Sequence, residues 1–187
     1  MDNEAANSSL YQRVLGDSFW QLPPVLRQLH GGSTVEVTGH LRTTWSSRRW
    51  LRALSRLAPL NLPRPAAAAP CLTTITPNAA AEHWRRTIGN TLMQSHMQMK
   101  CPGLILERSG PVVIELLTGV NEHGDLRQNS QRVRLFGITI ADLRVSASEC
   151  AVDAHRFACD VRIESARWGQ LLRYEGILTV HAAHKGA

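Results

Sequence analysis

The sequence predicts an α+β fold: a curled antiparallel β-sheet or partly open barrel of six or more strands, covered by short N-terminal helices. Three observations support this fold class. Segments that alternate apolar and polar residues follow one another after residue 71, turn residues separate them, and helical spacing is confined to the first 60 residues. No long helical pattern separates the later segments, so we expect antiparallel strands and no parallel βαβ unit.

Three short helices are predicted near the N-terminus. The first begins at a Ser8 or Ser9 cap. The pair Pro23-Pro24 ends that helix and opens the second, because proline suits the first helical turn. A third is predicted after Ser46-Ser47. The apolar positions are Tyr11, Leu15, Phe19 and Leu22 in the first helix, Val25, Leu26 and Leu29 in the second, and Trp50, Leu51, Leu54 and Leu57 in the third.

The clearest strand runs from Val35 to Trp45. Its apolar and polar residues alternate, which predicts one buried and one exposed face, and His40 falls on the exposed face. The Pro-rich stretch 62–70 is expected to be an extended loop within the domain. Further strands are predicted over residues 71–76, 81–88, 91–99, 103–108, 111–119, 126–135, 143–149, 152–164 and 170–181, with tight turns at 109–111 and 121–125.

The last two predicted strands show the most regular alternation. Phe157 and Tyr174 are expected to be buried, and Arg162 and Arg173 to be exposed; a register slip of one residue would reverse all four. The expected inward residues are Phe157, Cys159, Val161 and Ile163 on one strand, and Leu172, Tyr174, Leu178 and Val180 on the other.

Composition and charge limit the functional classes. The 187 residues, 43% hydrophobic and 19% charged, are ordinary for one folded domain. We place that domain at residues 8–183, between disordered tails at 1–7 and 184–187. The formal net charge is +6. The arginines are scattered along the chain and do not cluster on one element, so nucleic-acid binding is not expected.

Location and cofactors are predicted from what the sequence lacks. No apolar stretch approaches the roughly 18 residues that cross a bilayer, so no membrane span is expected. The four cysteines form no C-x-x-C pair and no zinc spacing, and the chain begins with polar residues. These features favour a cytoplasmic protein with reduced thiols and no metal. No nucleophile-elbow, phosphate-loop or dinucleotide motif is present, so no cofactor is expected.

The most unusual local pattern is the segment 82–89, Glu-His-Trp-Arg-Arg-Thr-Ile-Gly. On a strand, Trp84, Arg86 and Ile88 share one face, which places a guanidinium between two apolar side chains. An arginine there needs a carboxylate, a ligand anion or a route to solvent. Two interpretations stay open: Arg86 is a structural residue, or it anchors an anion inside a pocket.

Further pocket residues are expected on neighbouring strands. Met93, Ser95, Met97 and Met99 share one face of the next strand, and methionine adapts well to apolar ligands. We predict that Ser95 and Met97 contact a ligand together with Arg86, Trp84 and Tyr174. The alternative is ordinary core packing, since apolar faces usually only pack.

Glu107 and Glu115 are the candidate catalytic residues, because both have apolar neighbours in the sequence. A buried carboxyl can serve as a general acid or base. It can equally be the structural partner of Arg86, because an unpaired buried charge is costly. A bidentate pair between Arg86 and either glutamate would hold two strands in register and form the floor of the pocket.

Motifs distributed along the chain carry a family resemblance. They are LYQRVLGD at 10–17, LPP at 22–24, LHG at 29–31, WRRTIG at 84–89 with Ser95, GLILE at 103–107 and LLRYEG at 171–176. In this order they resemble the bacterial domain-of-unknown-function family numbered 4166. Such domains occur alone or fused behind domains resembling saccharopine dehydrogenase, so the resemblance implies a single domain and an oxidoreductase partner protein. It implies no activity. The segment 136–140 departs from the pattern, which has prolines after the glycine.

Three functional hypotheses follow. The leading one is a binding module that holds an apolar small molecule or acyl chain in a sheet-lined pocket, with Arg86 near its polar end. The second is an enzyme of lipid or secondary metabolism that uses Glu107 or Glu115 in the same pocket. The third is an accessory domain that docks onto an oxidoreductase, for which a large exposed apolar patch without a cavity would be the sign.

Overall fold

The N-terminal part of the chain forms three short helical elements. A computed structural model describes residues 8–48, 61–78 and 81–182. Helix α1 spans Leu10–Leu15, a 3₁₀ helix spans Gly16–Gln21, and helix α2 spans Pro24–Leu29. Ser9, one of the two predicted caps, caps α1: its Oγ accepts from the Gln12 amide at 3.1 Å, and Gln12 Oε1 accepts from the Ser9 amide at 2.7 Å. The predicted third helix and both predicted tails lie outside the described residues.

The remaining elements are antiparallel strands, with no parallel pair in the described part of the chain. The predicted α+β class with a curled sheet is therefore confirmed. Their bounds are β1 Val35–Trp45, β2 Ala66–Asn78, β3 Ala81–Ile88, β4 Thr91–Cys101, β5 Leu104–Ser109, β6 Val112–Val120, β7 Leu126–Leu135, β8 Ile138–Thr139, β9 Leu143–Ala151, β10 Arg156–Ser165 and β11 Gly169–Ala182.

Ten of these strands close into a barrel. Each strand pairs with the next along the chain, except that β7 pairs with β9 and the short β8 extends β7 as a hairpin. The first and last strands, β1 and β11, then pair along their length, from Val35 with Ala182 to Trp45 with Leu172. The sheet thus has one inner face, which must be filled by side chains or by a ligand.

Two predicted boundaries are wrong. Strand β2 begins at Ala66, inside the stretch expected to be a loop, because its backbone pairs with β1 on both sides of a bulge. Strand β10 begins at Arg156 and not at residue 152. The Asp153 carboxylate accepts from the backbone amides of His155 and Arg156, and this closes a turn before the strand.

The helical elements cover one end of the barrel. Helix α1 packs against β4 and β6, whereas α2 packs against β9, β10 and β11, so the helices cross from one wall to the other. The β4–β5 turn lies at this end, because the Gly103 amide donates to the Val14 carbonyl at 2.8 Å. The buried apolar residues of the helical segment 10–29 belong to the main core: Leu10, Tyr11, Val14, Phe19, Leu22, Val25, Leu26 and Leu29.

The alternation predicted for the first and last strands is confirmed. Phe157 and Tyr174 are 3% and 6% exposed, whereas Arg162 and Arg173 keep 45% and 28% of their side chains exposed. His40 lies on the exposed face of β1. The pleat therefore has the predicted register on both sides of the closure.

Close backbone approach at the β1–β11 closure requires glycine. Gly176 pairs with Leu41, and a Cβ added to Gly176 would lie 2.2 Å from the His40 carbonyl oxygen. The opposing atom belongs to the backbone of β1, so it cannot move without disturbing the ladder. Glycine is required here because two strands meet without room for a side chain.

We predict that Gly176→Ala lowers the free energy of unfolding by about 1–3 kcal/mol, the usual cost of inserting a methyl group into a filled space. Gly119→Ala is the matched control, because a Cβ at this strand glycine meets no heavy atom within 4 Å. Urea unfolding of the two variants gives the comparison. Equal stability of both variants would contradict the proposed steric role of Gly176.

Candidate functional site

A cavity opens on the inner face of the barrel, between β1–β3 and β9–β11. It holds about 430 Å³ of empty space, counted with its opening to solvent. An eight-stranded barrel can already hold one small ligand, and a ten-stranded barrel has more room unless its core is filled. The polar and titratable residues that line the cavity are Thr73, Trp84, Arg86, Ser148, Glu149, Cys159 and Tyr174.

Arg86 lies on the inner face, as its alternation with Trp84 and Ile88 predicts. Its Nη1 donates to the Tyr174 hydroxyl at 3.3 Å. The guanidinium carbon lies 5.2 Å from the centre of the Trp84 ring and 6.0 Å from that of the Tyr174 ring. Both distances allow cation–π attraction. Two aromatic rings therefore hold the guanidinium in one place while Arg86 keeps partial exposure.

The predicted bidentate pair between Arg86 and a glutamate is absent. Among the described residues, Arg86 forms no ion pair, and its hydrogen bond to Tyr174 is its only one to a side chain or backbone group. Glu107 is near enough to influence the pKa of Arg86, which Tyr174 and Glu107 raise against the opposing effect of burial. The guanidinium thus stays charged, with an uncharged phenol as its direct partner.

Glu115 lies away from this cavity and pairs with other cations. Its carboxylate is 2.9 Å from Lys100 Nζ, 3.3 Å from Arg134 Nη2 and 3.7 Å from Arg132 Nη1. The hydrogen bond from Lys100, together with these charges, lowers the pKa of Glu115. Its place outside the Arg86 cavity makes it a structural carboxylate, so the expectation that it faces Arg86 is wrong.

Glu107 points inward and is the better candidate for acid–base chemistry. It pairs with Met97 on β4 and with Ile114 on β6. Burial raises the pKa of Glu107, although the charge of Arg86 and a hydrogen bond from Ser95 oppose that change. Ser95 therefore supports Glu107, and neither residue is among those that line the Arg86 cavity.

The phenol and thiols around Arg86 are uncharged near neutral pH. Burial raises the pKa of Tyr174 to about 12 and that of Cys159 to about 12, even though Arg86 favours the ionised form of both. Burial also raises the pKa of Cys71. A protonated, buried thiol is a weak nucleophile, so the cysteines do not indicate covalent catalysis.

Sequence reasoning missed a second polar group at the helix-covered end. His30, which is fully buried, has Nε2 2.7 Å from Glu149 Oε2, and its ring centre lies 3.9 Å from that of Tyr11. Glu149 on β9 thus ties the end of α2 to the barrel wall. The alternation of Val145, Ala147 and Glu149 could have placed this carboxylate inside. The sequence around His30 did not predict that it is buried, because a histidine followed by two glycines is typical of a helix end.

Met97 packs between these groups and does not line the cavity. Tyr11 Oη lies 3.8 Å from Met97 Sδ and accepts a hydrogen bond from Gln128 at 3.4 Å. Trp84 Nε1 donates to Glu82 Oε2 at 3.0 Å. Of the predicted ligand contacts, Arg86, Trp84 and Tyr174 meet at one cavity. Met97 and Ser95 lie elsewhere in the interior.

Comparison with known proteins identifies the family. The model of the family described as "Domain of unknown function (DUF4166)" matches residues 22–178. The chain belongs to the DUF4166 family. The match covers β1 to β10 and most of β11, so the barrel described above is the fold of this DUF4166 domain. The resemblance recognised from the motifs is thereby confirmed.

Other comparisons add little to the DUF4166 assignment. No curated protein matches the chain. Among solved structures, an inactive mutant of CurJ dehydratase in complex with a compound aligns with 8% identity and a TM-score of 0.21. That alignment covers 95% of this chain and 86% of the dehydratase chain. A TM-score this low carries no argument about fold or function.

Within residues 8–48, 61–78 and 81–182, no group of three or more His, Cys, Asp or Glu side chains is arranged to hold a metal ion. Within the same ranges, no helix has the length and apolar character to cross a membrane.

The opposite pKa changes of Glu107 and Glu115 predict opposite pH effects on stability. A folded-state pKa above the usual 4.5 means that stability falls as pH rises through the folded pKa, because the folded state holds the proton more tightly. Glu107→Gln should therefore weaken the loss of stability as the pH rises above 4.5. Urea unfolding across this range measures the slope.

Glu115→Gln is the matched control with the reverse sign. The lowered pKa of Glu115 contributes stability above pH 4.5 that is lost as pH falls through its folded value. This variant should lose more stability at neutral pH than at acid pH. The same change in pH slope for both variants would contradict the assigned environments.

Proposed function

We propose that this DUF4166 domain is a binding module for a small molecule with an apolar body and an anionic head, with a carboxylate as the simplest head group. One observation carries the proposal: a permanently charged guanidinium lines a cavity, and no carboxylate of the described residues pairs with it. Burying a cation without a counter-ion is costly, so a ligand anion would supply the missing partner.

The guanidinium has the form needed to bind a carboxylate. Arginine presents five N–H donors in a planar fork, and the described residues accept from one of them. The rings of Trp84 and Tyr174 restrict its position, so little side-chain freedom is lost when an anion binds. Two parallel hydrogen bonds to a carboxylate would then be favourable.

The rest of the cavity suits an apolar body. Its apolar lining comes from both walls of the barrel and from α2, and such a lining with few polar groups is typical of small-molecule sites. The space that admits the centre of a water molecule is only about 30 Å³, so a ligand larger than a few atoms would have to displace lining side chains or extend into the opening. The apolar lining residues are Leu29, Val37, Leu41, Ala147, Phe157, Val161 and Leu178.

An enzyme that uses Glu107 is the second candidate. Its raised pKa suits a general acid, and its position near Arg86 would let it sense a bound anion. The absence of Glu107 from the cavity lining makes simple binding the better-supported function.

Docking onto an oxidoreductase partner is the third proposal, and it would use the outside of the barrel. We also propose a cytoplasmic location, because all four cysteines are free.

The binding proposal predicts discrimination between head groups. Decanoate should bind the protein about tenfold more tightly than decanol, because only the carboxylate can pair with Arg86. Arg86→Gln should remove this preference. Arg85→Gln, on the exposed face of the same strand, should keep it. Quenching of tryptophan fluorescence, compared with that in Trp84→Phe, measures binding next to Arg86.

Two results would contradict the proposal. Equal affinity for decanoate and decanol would show that Arg86 is no anion anchor. Loss of the preference in Arg85→Gln would show that surface charge causes it. Native mass spectrometry of freshly purified protein provides an independent check, since a tightly held natural ligand would appear as added mass that Arg86→Gln lacks.

A further inference from the structure

The cavity beside Arg86 has a second polar end, formed by Glu149. This glutamate lies near the end of β9, on the inner face that it shares with Val145 and Ala147. It lines the same cavity as Arg86, and its side chain keeps 15% of its surface exposed. Because Glu149 faces the inside of the barrel, that exposed surface belongs to the cavity. A cation and a carboxylate therefore line one cavity, and the structure shows no ion pair between them within the described ranges.

One oxygen of the Glu149 carboxylate is held by His30. The distance from His30 Nε2 to Glu149 Oε2 is 2.7 Å. A carboxylate can only accept hydrogen bonds, so Nε2 carries the hydrogen. The other ring nitrogen, Nδ1, is buried and has no partner among the described residues, so the bond to Glu149 is the one that orients the imidazole. The fully buried His30 is therefore a fixed donor that positions the carboxylate.

The second oxygen of this carboxylate, Oε1, lacks a donor from the chain. No described residue donates a hydrogen bond to it, and it is not among the polar atoms that the described protein encloses completely. Both oxygens of a carboxylate accept hydrogen bonds, and a charge inside a barrel is costly when its acceptors stay empty. Because Oε1 is accessible from the cavity, a molecule in the cavity can supply the donor that the chain does not.

The two polar ends are close enough for one small molecule to reach both. The centre of the Trp84 ring lies 5.2 Å from the guanidinium carbon of Arg86 and 6.1 Å from the centre of the His30 ring. One indole is thus within contact range of both ends. Since only a small part of the cavity admits atom centres, a ligand that fits inside is short, and the end away from Arg86 lies near Glu149.

We infer that the ligand of this cavity is dipolar: its carboxylate pairs with Arg86, and a hydroxyl or ammonium group at its other end donates to Glu149 Oε1. Hydrogen bonds to an ionised carboxylate are stronger than those between neutral groups, so this contact adds both affinity and orientation. The ligand class is short hydroxy acids and amino acids whose two polar groups lie at opposite ends. The apolar lining residues then contact the methylene groups between those ends.

This inference rests on the proposed function, because it assigns the second polar group of the same ligand. The two can nevertheless fail separately. The role of Arg86 depends on the preference for an acid over an alcohol. The role of Glu149 depends on what is gained when a donor is added to an acid of the same length.

The test compares acids of equal length with and without a terminal donor. Butyrate, hexanoate and octanoate are titrated into the protein by isothermal titration calorimetry, each beside its ω-hydroxy and ω-amino derivatives. At the length that spans the cavity, a derivative with a donor should bind about tenfold more tightly than the unsubstituted acid. Either gain supports the inference. A larger gain for ammonium assigns an amino acid, and equal gains assign a hydroxy acid.

Glu149→Gln should remove this gain. Glutamine keeps the length of the side chain, and its amide oxygen can still accept from His30, which leaves an NH₂ group facing the cavity. That group donates and cannot accept from the ligand. Glu36→Gln is the matched control, because Glu36 is an exposed glutamate on β1 and its replacement removes the same charge. The control should keep the gain, and thermal melting would show that both variants fold.

Two results would overturn the inference and leave the role of Arg86 intact. The native protein could bind each unsubstituted acid as tightly as its derivatives at all three lengths, which would show that water serves Oε1 as well as a ligand does. The gain could also persist in Glu149→Gln, which would place the recognition of the donor elsewhere. The first result needs no variant, so it decides the question even if Glu149→Gln does not fold.

A further arm covers the case in which no acid binds and the proposed function fails. Hexylamine then tests Glu149 without Arg86, since it carries a donor and no carboxylate. Binding of hexylamine that Glu149→Gln weakens about tenfold would support the donor site on Glu149. Absence of hexylamine binding would overturn that site together with the proposed function.

Discussion

The pairing of β1 with β11 is the constraint on which the rest of the structure depends. It joins the first and last strands of the sheet and leaves no edge among the ten barrel strands. Because closure gives the sheet an inside, inward side chains from strands far apart in sequence meet there. Arg86 on β3 reaches Tyr174 on β11 for this reason. The approach is so close at Gly176 that the closure tolerates no side chain at that position.

Closure also creates an interior too wide for strand side chains to fill by themselves. The helices fill one end with Tyr11, His30 and their apolar neighbours, and Glu149 ties them to the wall. The remaining space lies beside Arg86. Polar and charged groups buried in the interior are costly, so each needs a favourable partner. His30 has Glu149 and Glu82 has the Trp84 indole, whereas the direct contacts of Arg86 are two aromatic rings and the Tyr174 hydroxyl. This imbalance distinguishes the cavity from ordinary core.

Prediction from sequence succeeded where one face of a strand is clearly apolar and the other clearly polar. The alternation on β1, β10 and β11 placed Phe157 and Tyr174 inside, and the pattern around Trp84 placed Arg86 inside. It failed for Glu115, because β6 is apolar on both faces and shifts register against β7 next to Glu115. The start of β2 was missed for a different reason: alanine and proline have low strand propensity, but pairing with β1 overrides it.

The sequence by itself determined most of the strands, the inward faces of those that alternate clearly, a serine cap before α1 and the family, because these depend on residues near one another along the chain. Only the tertiary structure decided that the sheet closes, that Tyr174 and not a glutamate contacts Arg86, and that Glu115 pairs with Lys100 outside the Arg86 cavity. Those contacts depend on which strands become neighbours across the barrel and on local register shifts. The alternation along one strand predicts neither the neighbouring strands nor the register shifts. It determines which face of the sheet a residue occupies but not which residue it contacts.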